Sequence, residues 1–551
     1  MNSVFRPKLF SVMSKGYSRE QFFTDSMAGV IVGVVALPLA IAFAVASGVS
    51  PEKGLITAVI AGFIISFLGG SRVQIGGPTG AFIVIVYGIV EQYGLNGLLI
   101  STFLAGVLLV LFGILKLGSL LKYIPHPLVV GFTSGIALVI FSTQVKDALG
   151  LATGPLPSGF LDKWGVYFQQ IGSVNWYALG LTLLTIVITL VWKKVSSKIP
   201  GSLIAILLLT LAVKIFALPV STIETSFGNI PNTFSFSMPD LSLSGLSVYF
   251  MPALTIALLG AIESLLSAVV SDGMIGSTHR SNTELIAQGI ANMVTPFFGG
   301  IPATGAIART ATNVRSGGRT PVAGMVHAVT LLLIMLFFGR WAKLIPMSVL
   351  AGILIVVAYN MSEWRSFVSI LRGSAFDIIV LLVTFFLTVL VDLTVAIEIG
   401  IVLSSLLFMK RMADAGQAAL VENDSDLMAD YKDLPKEISV YEISGPFFFA
   451  ASKSYSEVMK SLGSRANILI IRMRHVPFID STGARNFRES IRAMQASGSR
   501  IVLSGVRPEV MKELERGRIA FMVGKANILP DFDAAVKRAE NLLQQKDENV
   551  A

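Results

Sequence analysis

The chain has 551 residues, 53% of them hydrophobic and 14% charged, with a mean hydropathy of +0.73. Soluble domains carry about a quarter charged residues, so this composition excludes an ordinary soluble enzyme and places most of the chain in a bilayer. The absence of cysteine excludes disulfides and thiolate metal sites, and basic cytoplasmic loops account for the net charge of +9 without nucleic acid.

Residues 1–25 read as a cytoplasmic N-terminal segment with no signal-peptide pattern. A span needs about 20 apolar residues. Continuous apolar runs fall at 26–47, 53–69, 94–117, 125–143, 176–192, 201–217, 249–271, 282–298, 320–338, 344–360, 375–391 and 393–409. Two short proline-led segments, 78–91 and 302–314, bring the expected number of spans to 14 within a transport domain at 26–412. Arg6, Lys8, Lys15 and Arg19 precede the first run, Lys193, Lys194 and Lys198 follow the sixth, and Leu218–Tyr249 has no Lys or Arg. The positive-inside rule therefore predicts that both termini are cytoplasmic.

The short segments resemble each other. Phe67-Leu68-Gly69-Gly70 and Gly77-Pro78-Thr79-Gly80-Ala81 match Phe298-Gly299-Gly300-Ile301-Pro302-Ala303-Thr304-Gly305-Ala306. Proline suits a helix's first position, so Pro78 and Pro302 are expected to open half-helices in mid-membrane. Each motif is the third element of seven, and an odd number per repeat turns the second copy upside down, so the half-helix N-termini should face each other. Each such end carries unpaired N–H groups and about half a positive charge, which suits an anion without a formal counter-charge. Thr79, Gly80 and Ala81, with Thr304, Gly305 and Ala306, are the expected binding residues: the small ones admit a ligand to the backbone and the hydroxyls add donors.

A polar linker is expected at 413–437. Beyond it, 438–551 alternates buried strands with amphipathic helices, the pattern of a small α/β domain. Its marked turn is Phe478-Ile479-Asp480-Ser481-Thr482-Gly483-Ala484, a strand-to-helix junction rich in N-cap residues.

Taken in order, Val35-Ala36-Leu37-Pro38-Leu39-Ala40-Ile41-Ala42-Phe43-Ala44, Gly77-Pro78-Thr79-Gly80, Glu263-Ser264-Leu265-Leu266, Pro302–Arg309 with Asn313, Arg315-Ser316-Gly317-Gly318-Arg319-Thr320 and Asp480-Ser481-Thr482-Gly483 resemble the sulfate permease (SulP) family of anion transporters. The resemblance covers nearly the whole chain. It implies seven-plus-seven inverted repeats as in uracil permeases, divided into core and gate, a cytoplasmic STAS domain similar to anti-sigma-factor antagonists, and a homodimer in a bacterial inner membrane moving anions by an elevator-like motion. It places the anion site between the two half-helices, including Ile307, Ala308 and Arg309, with Phe43 closing one side.

Arg309 either adds positive potential at that site or pairs with a carboxylate. Glu263 lies in the apolar run 249–271, where a charge must be protonated, paired or bound to a cation. With Ser267 one helical turn away it is the candidate carrier of a coupling proton or sodium; a plain pair with Arg309 is the alternative. The sodium-coupled bicarbonate branch of the family has threonine where Ile307 stands, and isoleucine offers sodium no oxygen, which favours a proton. Ser481 and Thr482 are candidate phosphosites, with helix capping as the other reading. His279 reads as a solvated loop residue. The function expected is secondary active transport of sulfate, bicarbonate, chloride or dicarboxylate by symport or exchange, with no cofactor or metal; a passive anion channel, or a binding scaffold for the STAS domain, is the competing reading.

Overall fold

The computed structural model describes residues 6–14, 16–119, 125–154, 156–157, 159–195, 201–228, 236, 247–391, 393–418, 434–435, 437–463 and 467–548. The chain divides into two compact units, Met1–Ile401 and Val402–Ala551.

In the first unit, α1 (Lys8–Met13), α2 (Arg19–Ala46) and α3 (Pro51–Leu68) lead to the two-residue strand β1 (Gly76–Gly77). A 3-10 turn at Gly80–Phe82 opens α4 (Ile83–Ile114), and α5 (His126–Leu149), α6 (Phe160–Gln169), α7 (Trp176–Val195), α8 (Gly201–Ile215) and α9 (Ile223–Phe227) follow. The second half repeats the order with α10 (Phe250–Ile275), α11 (Ser281–Val294), β2 (Thr304–Gly305), α12 (Ile307–Arg315), α13 (Pro321–Ala342), α14 (Met347–Met361), α15 (Trp364–Ile370), α16 (Ala375–Leu390) and α17 (Leu393–Ala418). By length and composition α2, α3, α4 with its lead-in turn, α5, α10 and α14 with α15 are able to cross a bilayer, and α7, α8, α13 and α16 are shorter apolar helices. A break expected between 91 and 94 is present: Gly94, at φ 68° and ψ −176°, splits α4 into two arms.

These helices sort into two packed groups. One holds α2, α3, α4, α10, α11, α12 and α13, the other α5, α7, α8, α14 and α16. Small residues let the backbones approach, as they do between helices in lipid. At Gly106 of α4 and Gly289 of α11, a methyl group on either glycine would lie 2.6 Å from the other's carbonyl oxygen. Gly131 and Gly135 play the same part where α5 meets Leu381 and Thr388 of α16. Leu183, Leu184, Val187 and Val191 on α7 and Leu207, Leu208 and Leu211 on α8 are exposed apolar side chains, the surface a lipid solvent requires.

Helices α6 and α15 correspond to no expected span. α6 is amphipathic and too short to cross, so a window tuned to about 20 apolar residues passes over it.

The second unit carries β3 (Ile438–Ser444), β4 (Ile468–His475), β5 (Arg500–Ser504) and β6 (Ile528–Leu529) in one parallel sheet of order β3-β4-β5-β6. The first six residues of β4 are buried without alternation, the mark of a strand covered on both faces. Helices Ser452–Gly463, Ser481–Ala496 and Pro508–Arg516 pack with one core, and Phe532–Glu548 builds the other around Ile438, Ile470 and Val502. The expected α/β alternation is present; β6 and the short helix Ile519–Val523 were not foreseen. At the expected linker the structure differs at the start, since α17 continues to Ala418. Residues 419–433 and 436 of that linker lie outside the described residues.

Candidate functional site

The two broken segments meet. β1 and β2 pair antiparallel, Gly76 opposite Gly305 and Gly77 opposite Thr304. Strands paired this way send the following helices off in opposite directions, so α4 and α12 diverge from a common crossover. The half-helices do not start at the prolines: the first begins at the Gly80 turn and the second at Ile307. Buried backbone in an apolar medium must be paired, and the short ladder occupies the residues between Pro302 and α12 that the proline rule assigns to a helix.

Buried polar side chains tie down both lead-in loops. Thr57 of α3 accepts from the Ile301 N–H at 2.7 Å and donates to its carbonyl at 3.1 Å. Asn292 of α11 binds both the N–H and the carbonyl of Ala303 at 2.8 Å. In the other loop Glu284 of α11 accepts from the N–H groups of Gly70 and Ser71 at 2.7 and 2.9 Å. Asn313 donates to the Val73 carbonyl at 2.8 Å, and Thr310 accepts from the Ile75 N–H at 3.0 Å. The second half thus braces the first, and the first the second.

This bracing decides which backbone donors are left. The Thr304 hydroxyl lies 2.6 Å from that of Ser264 and donates to the Gly260 carbonyl at 3.1 Å. The Gly305 N–H donates to Ser264 at 3.1 Å, and the Ala306 N–H to the Ile75 carbonyl at 2.9 Å. Gly305 is packed so tightly that a methyl group there would lie 1.8 Å from Gln74 Nε2. Thr304, Gly305 and Ala306 therefore build the crossover and keep no donor for a ligand. The unpaired amides are one step further on: Ile307, Ala308 and Arg309 have no N–H partner among the described residues, Thr310 being the first to bond back to Ala306. Ile307 is 38% exposed and Ala308 is exposed too. On the other half-helix the amides of Thr79, Gly80 and Ala81 lack partners among the described residues, and the buried Thr79 hydroxyl has none either. Phe43 closes this side: its ring edge, Met361 and Ile140 stand within 3.5 Å of where a Gly80 methyl would be.

Arg309 is buried, and its Nη2 donates to the Pro78 carbonyl across the crossover. Its Nη1 lies against Gly77, 2.6 Å from where a methyl group would stand, and has no hydrogen-bond partner. No carboxylate pairs with it among the described residues, so the Glu263–Arg309 pair held as an alternative does not form. Glu263, 7% exposed on α10, also makes no hydrogen bond or ion pair among the described residues. Ser267 does not complete a ligand pair with it: its hydroxyl donates to Thr310 at 3.3 Å. Among the described residues no group of three or more His, Asp or Glu side chains is placed to hold a metal ion.

Two expectations need correction. His279 is not a free loop residue: its Nδ1 is 2.7 Å from Asp272 and its Nε2 2.9 Å from the Ser281 hydroxyl. In the second unit Asp480 caps helix Ser481–Ala496, accepting from Gly483 at 2.6 Å and from Phe449 at 3.0 Å. Ser481 and Thr482 are exposed in its first turn and are not the capping groups. Thr57, Gln74, Glu284 and Asn292 were missed; each is a polar residue in a stretch of membrane segment, and that alone was the available signal.

Comparison with known proteins agrees with this architecture. The chain matches the sulfate permease family over residues 22–384 and the STAS domain over 432–535. The putative sulfate transporter YvdB of Bacillus subtilis is 42% identical over 95% of this chain and 99% of its own. The bicarbonate transporter BicA of a Picosynechococcus strain is 29% identical, with 94% of each chain covered. In fold, the murine Solute Carrier 26 family member A9 anion transporter in its inward-facing state superposes with a TM-score of 0.86 at 19% identity, over 97% of this chain and 94% of that one. The chain therefore belongs to the sulfate permease family, a multi-pass membrane protein with a STAS domain behind its membrane part.

Proposed function

We propose that this protein carries sulfate or bicarbonate across a bacterial cytoplasmic membrane by secondary active transport. Anion transport is what the named functions of YvdB and BicA share, and one feature of this chain supports it most: six unpaired backbone amides, on Thr79–Ala81 and Ile307–Arg309, flank one crossover at the start of two diverging helices. Such donors favour a small oxyanion, and Arg309 adds a positive charge that no carboxylate pairs with among the described residues. Phe43 bounds the site with apolar surface, and Thr304, Gly305 and Ala306 position it from behind.

Glu263 is the coupling group, and it carries a proton. A buried carboxylate without a partner is stable in an apolar setting as its neutral acid. The engagement of Ser267 with Thr310, and an isoleucine at 307 that offers no oxygen, leave sodium short of oxygen ligands. In transport the crossover group of helices moves as the elevator against the α5, α7, α8, α14 and α16 group within a homodimer. The basic residues at Arg6–Arg19 and Lys193–Lys198 put both termini in the cytoplasm. The transport domain spans 26–412, and the STAS domain spans 438–551 and is open to phosphorylation at Ser481 or Thr482.

Uptake of labelled sulfate and bicarbonate into proteoliposomes, driven by a pH gradient and separately by voltage alone, tests this reading. Accumulation above electrochemical equilibrium under the pH gradient is the expected result. Flux that only relaxes to equilibrium identifies a channel instead, and binding without flux identifies a scaffold.

A further inference from the structure

Away from the crossover, the buried Lys163 makes no ion pair among the described residues. Lys163 lies on α6, which packs against α5 and is anchored by Tyr167, whose hydroxyl donates to the Ser142 carbonyl at 2.9 Å. Lys163 is 4% exposed, yet among the described residues its ammonium makes no hydrogen bond and no ion pair. The ammonium stands over the Tyr87 ring, 5.6 Å from the ring centre. The stem of Lys163 is buried and its ammonium has no counter-charge among the described residues, for which a cation–π contact of about 0.5–2 kcal/mol is a weak substitute.

Lys163 lines two cavities, of about 830 and 730 Å³, both also lined by Tyr87 and Thr143. The first has Lys146, Gln144, Asn175, Thr225 and Ser226 in its wall, and Asp147 is its one carboxylate against two lysines. The second carries Glu91 and Glu398. Glu91 is solvent-exposed and acts on Lys163 only at longer range, opposing the burial that pulls the lysine below its ordinary pKa. Neither cavity reaches Thr79 or Ile307. Tyr87 lies six residues beyond Ala81 on the same helix arm, about 9 Å along its axis.

We propose that Lys163, with Lys146 and the polar wall of the larger cavity, forms a second anion site, a vestibule that receives a small oxyanion one step before or after the crossover. It rests on the transport reading above. The anion supplies the missing counter-charge and, by favouring the charged form of Lys163, raises its affinity for a proton. α6 contributes Lys163 to the wall of this site.

The test is acylation of the full-length purified protein by an N-hydroxysuccinimide ester, with labelling of each lysine read by mass spectrometry, in sulfate, in bicarbonate and in gluconate at one ionic strength. Sulfate or bicarbonate should slow labelling of Lys163 at least fivefold relative to gluconate and leave the exposed Lys116 unchanged. Equal labelling of Lys163 in all three salts overturns the site, as does an equal slowing of Lys163 and Lys116. A lysine that stays unlabelled even in gluconate overturns it too, because the ammonium then faces no open cavity. In proteoliposomes Lys163→Met should raise the half-saturating anion concentration about tenfold and Lys163→Arg should restore it; two variants that match the wild type contradict the proposal. Protection of Lys163 in a wild-type protein that moves neither anion would count against the transport reading and leave this site standing.

Discussion

The guanidinium of Arg309 donates to the carbonyl of Pro78, joining the first turn of one half-helix to the lead-in of the other across the crossover. A charged donor on a buried carbonyl contributes about 1.5–3 kcal/mol, and the planar fork cannot be copied by an ammonium. Arg309→Lys should therefore retain anion binding better than Arg309→Met, while both lose thermal stability. A Met variant that binds sulfate or bicarbonate as tightly as the wild type would remove Arg309 from the anion site and leave it a fastener.

Ser264 serves two groups at once, the Thr304 hydroxyl and the Gly305 N–H. Ser264→Ala leaves the buried Gly305 N–H without its acceptor, at a cost of about 1–3 kcal/mol, while the Thr304 hydroxyl keeps its bond to the Gly260 carbonyl. The membrane unit should unfold at lower temperature and anion affinity should fall with it. Ser264→Ala combined with Thr304→Val should lose less than the sum of the two single changes, because both remove the same bond; strictly additive losses would argue against it.

Gly305 has no room for a methyl group, because Gln74 fills that space. Gly305→Ala should destabilise the crossover by about 1–3 kcal/mol, as overpacking does, and abolish binding. Gln74→Ala in the same chain should return a good part of both. Failure of the second change to rescue the first would mean that the clash lies elsewhere.

Glu263→Gln mimics the protonated acid. It should keep the fold and anion binding and lose uptake driven by a pH gradient, with exchange of one anion for another surviving. Pumping in that variant with the wild-type dependence on pH would take Glu263 out of coupling.

Much of this architecture is readable in the chain because membrane helices announce themselves by length and apolar content, and because Gly–Pro interruptions inside them are rare enough to stand out. The pairing of the two motifs followed from their matching positions in the two halves. What was not readable is the identity of the donors. Thr304, Gly305 and Ala306 have the right chemistry for an anion, but side chains from α10 and a carbonyl from the other loop claim their hydrogen-bonding groups, and partners 40 or more residues away leave no local trace. The amides without partners among the described residues are those of Ile307–Arg309. Likewise Asp480, rather than the serine and threonine beside it, caps the helix of the second unit, a choice made by the turn's geometry. Amphipathic α6 escaped notice because one buried lysine on a short helix looks like any surface charge until its neighbours are known.

The most direct measurement is anomalous scattering from selenate, a sulfate analogue, bound to the wild-type protein. The predicted result is one peak within hydrogen-bonding distance of the amides of Ile307–Arg309 and facing those of Thr79–Ala81. Selenate that binds with no peak at the crossover, or one that lies against other groups, would contradict an anion site between the two helix ends.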